Sequence, residues 1–142
     1  MSESEGSSEV RVLVAEDSVP FRSFIGEKLR ENSGLRIVGE VSDGLEAVRL
    51  ARHLKPELII LDIGLATLDG INAARQIREL SPKSKIIFLS MESSPAVVQE
   101  AFNLGAWGYV AKARAATDLL IAVQMALEGR RFVSGGLKSP FA

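Results

Sequence analysis

No cysteine occurs anywhere in the chain, which removes disulfides, thiolate metal sites and thiol catalysis and fits a reducing compartment. Histidine is nearly as scarce. His53 is the one imidazole; it follows the apolar stripe of a helical segment and is read as a surface residue without a phosphotransfer role. An excess of positive charge is also missing: 17 Lys and Arg stand against 18 Asp and Glu, a formal net charge of -1. No basic field therefore exists to hold a phosphate backbone or an anionic bilayer, and direct nucleic-acid binding by this chain is not expected. There is no apolar run of about 18 residues to span a bilayer, and residues 1–8 form a Ser/Glu/Gly tract in place of a basic and then apolar leader. These absences together lead us to expect a soluble, cytoplasmic protein with no secretory signal and no membrane contact.

What is present is enough apolar material for one core, since 46% of the 142 residues are hydrophobic. Five short runs read as strands: Val10–Ala15, Leu35–Val41, Leu58–Leu61, Lys85–Leu89 and Gly108–Ala111. Three of them, V-L-V-A, L-I-I-L and I-I-F-L, are continuously apolar, as strands of a parallel sheet covered on both faces are. The segments between carry helical stripes, such as Phe21, Phe24, Ile25 and Leu29 in the first connection and Ala47, Val48, Ala51 and Leu54 in the second. Ser18 and Asp43 suit N-caps, Pro95 a first turn, and Gly34, Gly105 and Gly129 the ends of helices. Strict alternation gives an α/β fold, a flavodoxin-like (βα)5 doubly wound sandwich with a parallel five-stranded sheet in the order 2-1-3-4-5. Residues 1–9 are expected to be a disordered tail, 10–129 the folded domain, and 130–142 the start of a linker.

In that strand order the first and third strands are neighbours whose connections wind away in opposite directions, leaving a crevice at their carboxyl ends. The first strand ends in Glu16-Asp17 and the third in Asp62, so three carboxylates converge there. Like charges at close range push one pKa up unless a cation is shared, and oxygen-only ligands favour a hard ion such as Mg²⁺. Ser90 ends the fourth strand and Lys112 the fifth, adding a hydroxyl and an ammonium at the same edge. A nucleophilic carboxylate, a metal, a cation and a donor are the parts that an aspartyl phosphate requires.

With these residues in order and spacing, followed by Asp69-Gly70 and G-A-W-G-Y-V-A-K ending in Lys112, the chain resembles the receiver domain of two-component response regulators from about Val10 to Gly129. The G-A-x-G-Y-V-x-K signature and G-R-R-F-V-S after the last helix look most like the NarL/FixJ (LuxR-type) subfamily. The resemblance implies that Asp62 is the phosphoacceptor, with Mg²⁺ held by Asp17 directly, by Glu16 through water, by Asp62 and by the Gly64 carbonyl. Ser90 and Lys112 would hold the phosphoryl oxygens, and Ser90 and Tyr109 would form the switch, Tyr109 turning inward. It also implies a sensor histidine kinase as donor, a phosphorylation-dependent homodimer, and a role in transcription through a DNA-binding helix-turn-helix output domain beyond this chain. Its chemistry would be limited to self-catalysed phosphoryl transfer and hydrolysis, so the chain is not expected to be an enzyme in its own right.

Three positions depart from that pattern. Leu65-Ala66 replaces the usual Met-Pro, which predicts a looser loop; Met91 is larger than usual beside Ser90 and is expected to cover the site in part, slowing access. Ala113 follows Lys112 where proline is usual; a cis bond there costs roughly 3 kcal/mol, and a trans bond is expected to displace Lys112. Other functions remain on the table. A degenerate or stand-alone receiver would serve only as a protein-interaction module. A metal-dependent phosphatase with an Asp nucleophile would need D-x-D, whereas Asp62 is followed by Ile63 and Gly64. A flavin carrier would need a phosphate-binding loop where this chain has E-D-S-V-P-F.

Overall fold

Residues 9–91 and 94–135 are described by the computed structural model. Their elements alternate: β1 Val10–Ala15, α1 Val19–Arg30, β2 Leu35–Val41, α2 Gly44–Leu54, β3 Leu58–Asp62, α3 Gly70–Leu80, β4 Lys85–Ser90, α4 Pro95–Asn103, β5 Gly108–Ala111, α5 Ala115–Leu127 and β6 Phe132–Val133. All pairings are parallel and the sheet runs β2-β1-β3-β4-β5-β6, the expected order with one strand added at its end.

The continuously apolar strands lie where both sheet faces are covered. Successive residues alternate sides: Leu13, Ile59, Leu61, Phe88 and Tyr109 face α2, α3 and α4, meeting Ala51, Ile77, Ala101 and Phe102. Val12, Leu58, Ile60, Ile87 and Val110 face α1 and α5, meeting Ile25, Leu29, Leu119 and Val123. Every residue of β3 is buried, and a fully buried Leu or Ile contributes about 1.5–3 kcal/mol. This central strand is therefore a rigid base for Asp62, its last residue.

Helix starts are fixed as their caps predict. Ser18 Oγ accepts the Phe21 N–H at 3.3 Å and Asp43 Oδ1 accepts the Glu46 N–H at 2.9 Å, while Pro95 lies in the first turn of α4. Gly105 and Gly129 take φ of 91° and 77° after α4 and α5, a region that favours glycine.

β6 is the departure from the expected fold. It lies within the stretch read as linker, and pairs Gly108 with Phe132 and Tyr109 with Val133. Arg131 anchors its start, with its guanidinium carbon 4.2 Å from the Trp107 ring centroid and its Nε donating to the Ala106 carbonyl at 3.2 Å. Two residues are too short a run to show any periodicity in sequence. Residues 1–8 of the expected tail and 136–142 of the expected linker lie outside the described residues.

Candidate functional site

The crevice between β1 and β3 gathers the predicted residues. Glu16 leaves β1 with its N–H donating to the Val41 carbonyl at 3.0 Å, and its side chain is fully buried. Its Oε2 accepts the Ser18 N–H at 2.9 Å. Its Oε1 has no aligned hydrogen bond and meets Lys112 Nζ at 2.9 Å as charge against charge. Asp62, also buried, accepts the Gly64 N–H on Oδ1 at 3.0 Å and Lys112 Nζ on Oδ2 at 3.1 Å. One ammonium thus serves two buried carboxylates. Asp17 is exposed beside them, and one oxygen from each of Glu16, Asp17 and Asp62 lies within 4.8 Å of the others.

Electrostatics follow from this shortage of cations. Burial pushes the Glu16 carboxyl above its usual range and nearby Asp62 adds to the rise; the Ser18 N–H and Lys112 only partly oppose it. Burial pulls Lys112 down, but contacts with Glu16 and Asp62 outweigh it and hold the ammonium above the usual lysine value. The Lys112 Nζ also lies 5.1 Å from the Phe21 ring centroid, within cation–π range.

Ser90 ends β4, buried, paired in register with Ala111, the residue before Lys112. Asp17, Asp62, Gly64, Ser90, Met91 and Lys112 line an open cleft of about 510 Å³. Carboxylates, ammonium and hydroxyl therefore share one solvent-accessible space, which suits binding and transfer of a small anionic group beside a hard cation.

Met91 lines the cleft and is 87% exposed, which places it at the rim. One expectation needs correction. Among the described residues no peptide bond is cis, and Lys112 still reaches Asp62, because the chain turns into a 3-10 turn over Lys112–Arg114 that leaves the side chain directed at the acids. The loop with Ala66 is clipped to the start of α2: the Gly44 N–H donates to the Ala66 carbonyl at 3.3 Å, and Asp43 and Ala66 form an isolated parallel bridge. A Cβ on Gly44 would lie 1.7 Å from the Leu68 carbonyl oxygen, so glycine permits this contact and the backbone supplies restraint that the missing proline does not.

Gly70 has the same role below Asp62. Its N–H donates to the Ile63 carbonyl at 2.8 Å, and a Cβ there would lie 2.3 Å from the Asp62 carbonyl oxygen. Tyr109 is fully buried against the α3–α4 side of the sheet.

Sequence reasoning placed Phe21 in the core only and passed over Arg22. Arg22 NH1 donates to the Glu16 carbonyl at 2.7 Å while its Nε lies 3.7 Å from Glu40, bracing the acidic loop from α1. A basic residue in the first turn of a helix gives no signal for such a contact, because its target lies six residues back across a bend.

The sequence profile of the response regulator receiver domain matches residues 12–124. The transcriptional regulatory protein PdtaR of Mycobacterium tuberculosis is 39% identical over 126 residues, covering 87% of this chain and 60% of PdtaR. The chain thus spans about 60% of the length of the curated relatives it matches. A LuxR-family two-component response regulator from Aurantimonas sp. SI85-9A1 superposes with a TM-score of 0.85 at 31% identity, covering 90% of this chain and 91% of that one. RcsB of Salmonella typhimurium, solved in connection with DNA interaction, gives 0.83 at 26% identity over 90% of this chain and 64% of RcsB.

Proposed function

We infer that this chain, which belongs to the response regulator receiver domain family, is phosphorylated on Asp62 by a sensor histidine kinase. The observation that carries the reading is the single ammonium of Lys112 held 2.9 Å from Glu16 and 3.1 Å from Asp62 at the carboxyl ends of β1 and β3.

The donor set fits Mg²⁺: three carboxylates with oxygens within 4.8 Å, one of them exposed to an open cleft, and an aligned partner missing from Glu16 Oε1. Asp17, Asp62 and the Gly64 carbonyl would hold the ion, with Glu16 acting through water. Bound there, the ion would offset the charge of the incoming phosphoryl group. An Asp62 carboxylate oxygen attacks phosphorus, the P–O bond forms as the P–N bond to the kinase's imidazole breaks, and the imidazole leaves. Lys112 moves from pairing Asp62 to pairing a phosphoryl oxygen, and the Ser90 hydroxyl donates to another. Hydrolysis by water within the same cleft resets the site.

The output is a surface of α4, β5 and α5, and the exposed Ile121 and Leu127 on α5 supply apolar area for a phosphorylation-dependent homodimer. Because PdtaR is named a transcriptional regulator and extends beyond the matched region, we assign this receiver to control of transcription through a further output domain, in the cytoplasm. Among the described residues no helix is long and apolar enough to cross a membrane.

Incubation with acetyl phosphate and Mg²⁺ followed by intact mass measurement tests the core of this reading. Wild type is expected to gain one phosphoryl mass that Asp62→Asn does not; equal spectra would reject Asp62 as acceptor. Tyr109→Ala is a poor test of the switch, because emptying a fully buried aromatic costs about 3–5 kcal/mol of stability. Tyr109→Phe keeps the packing and removes only the hydroxyl.

A further inference from the structure

Beyond the cleft, one buried acid takes no part in the proposed chemistry. Asp118, in the first turn of α5 and 4% exposed, accepts from Arg114 Nε at 3.1 Å, from Thr117 Oγ1 at 3.1 Å and from the Ser134 hydroxyl. Ser134 itself is 1% exposed and uses both capacities of its oxygen. It donates to Asp118 and accepts the N–H of Ala111 at 2.9 Å.

Ala111 is the last residue of β5 and directly precedes Lys112. The ladder with β6 stops at Tyr109–Val133, and the Ser134 N–H continues it with a bond to the Tyr109 carbonyl at 2.9 Å. Beyond that point no strand of β6 remains to pair with Ala111, and the Ser134 side chain takes the place of a ladder bond. The end of β5 is thus held by β4 on one side and by a serine on the other, oriented by a carboxylate that also accepts from Arg114 and Thr117. Arg114 closes the arrangement, since its NH2 would lie 3.2 Å from a Cβ on Gly135.

We propose that Ser134 is a positioning residue for Lys112, fixing the end of β5 from which Lys112 reaches Asp62, and that Asp118 positions Ser134 in turn. The proposal rests on the phosphoacceptor reading of Asp62. It also makes the segment 131–135 part of the phosphorylation machinery: a pull on the chain after Gly135 acts on Ser134, and through the Ala111 N–H on Lys112. Without proline after Lys112, this side-chain bond supplies the restraint at the strand end.

The test compares wild type, Ser134→Ala, Ser134→Thr and Asp62→Asn, each as the full chain, for acetyl phosphate labelling rate and for Mg²⁺ affinity in the absence of phosphodonor. Displacing a catalytic group by a fraction of an ångström to one ångström slows chemistry by roughly 10- to 100-fold. Ser134→Ala is expected to label about tenfold more slowly without any weakening of Mg²⁺ affinity, because Asp17, Asp62 and Gly64 keep their places at the ends of β1 and β3 and a displaced Lys112 competes less with the ion for Asp62. Ser134→Thr, which keeps the hydroxyl, is expected to recover most of the rate. A wild-type rate in Ser134→Ala overturns the proposal. So does a parallel loss of labelling, Mg²⁺ binding and thermal stability, which is what a merely structural residue would give. If wild type labels no more than Asp62→Asn, the phosphoacceptor reading fails and this proposal fails with it.

Discussion

Glu16 and Asp118 are both buried acids near the carboxyl edge of the sheet and each faces one basic side chain, yet their surroundings act on them in opposite directions. Around Glu16, burial dominates: one N–H from Ser18 and a shared ammonium do not compensate, and the pKa rises. Around Asp118, burial also pushes upward, but the hydroxyl of Ser134, the guanidinium of Arg114 and the hydroxyl of Thr117 outweigh it, and the pKa falls. Three donors serve one carboxylate at Asp118, whereas one ammonium serves two at Glu16 and Asp62. A cluster whose charges are already met has no capacity left for a ligand and acts as structure. A cluster short of positive charge is poised for a cation, and this is the property that separates the candidate site from an ordinary buried ion pair.

Removing Lys112 should break the comparison most severely. Lys112→Met keeps length and apolar stem but leaves Glu16 and Asp62 buried without an ammonium. Loss of one preorganised group of this kind costs about 10²–10³ in rate, so labelling by acetyl phosphate is expected to fall by that factor. Mg²⁺ binding should move the other way and tighten, because the ion no longer competes with Nζ for the Asp62 oxygen. Labelling kinetics and a Mg²⁺ titration on the same variant check both signs. A parallel loss of the two would show that Lys112 holds the acids in place instead of competing with the ion.

How much of this contrast could be read from sequence differs between the two clusters. Glu16, Asp17, Asp62, Ser90 and Lys112 each end a strand whose apolar run is plain, so the topology alone brings them to one edge. Strand limits agreed closely for the same reason: β1, β2 and β5 begin and end where the apolar runs do, and β3 and β4 extend by one residue, to Asp62 and Ser90. The Asp118 cluster had no such marker. Its parts come from a 3-10 turn, a helix first turn and the residue after a two-residue strand, and Ser134 is brought to Ala111 only by the pairing of β6, which periodicity cannot register. The contact that ties down the loop at Ala66 was equally illegible, since besides the Leu68 N–H within the loop the Ala66 carbonyl accepts the N–H of Gly44, far away in sequence.

Asp118→Asn tests the satisfied cluster and is expected to have a smaller effect. Hydrogen bonds to a charged group are worth about 1.5–3 kcal/mol, and Asn keeps some of them, so a loss of roughly 1–2 kcal/mol in unfolding free energy at neutral pH is expected. Because the folded-state pKa of Asp118 lies below its unfolded value, its stabilisation is present above the unfolded pKa and is lost as pH falls through the folded one. Denaturant melts carried from pH 7 to below the ordinary aspartate range should therefore converge for wild type and Asp118→Asn. A gap that stays constant through the acid range would show that the carboxylate charge contributes nothing there.

The finest distinction concerns Phe21, which touches the underserved cluster without carrying charge. Its ring lies 5.1 Å from Lys112 Nζ and stacks against Phe24 at 5.6 Å between centroids, so it is a rigid surface for the ammonium. Cation–π contacts at partly exposed positions are worth about 0.5–1 kcal/mol. Phe21→Leu keeps the apolar contact and removes the ring face, and a fall of about two- to fivefold in labelling rate is the expected result. The effect should disappear in a Lys112→Met background, where no cation remains for the ring to hold, and a double-mutant cycle measures that coupling directly. If Phe21→Leu slows labelling equally in both backgrounds, the ring acts by shaping the neighbouring pocket that it lines with Ser18, Met91 and Lys112, and the shortage of positive charge at Glu16 and Asp62 is met by Lys112 without help from α1.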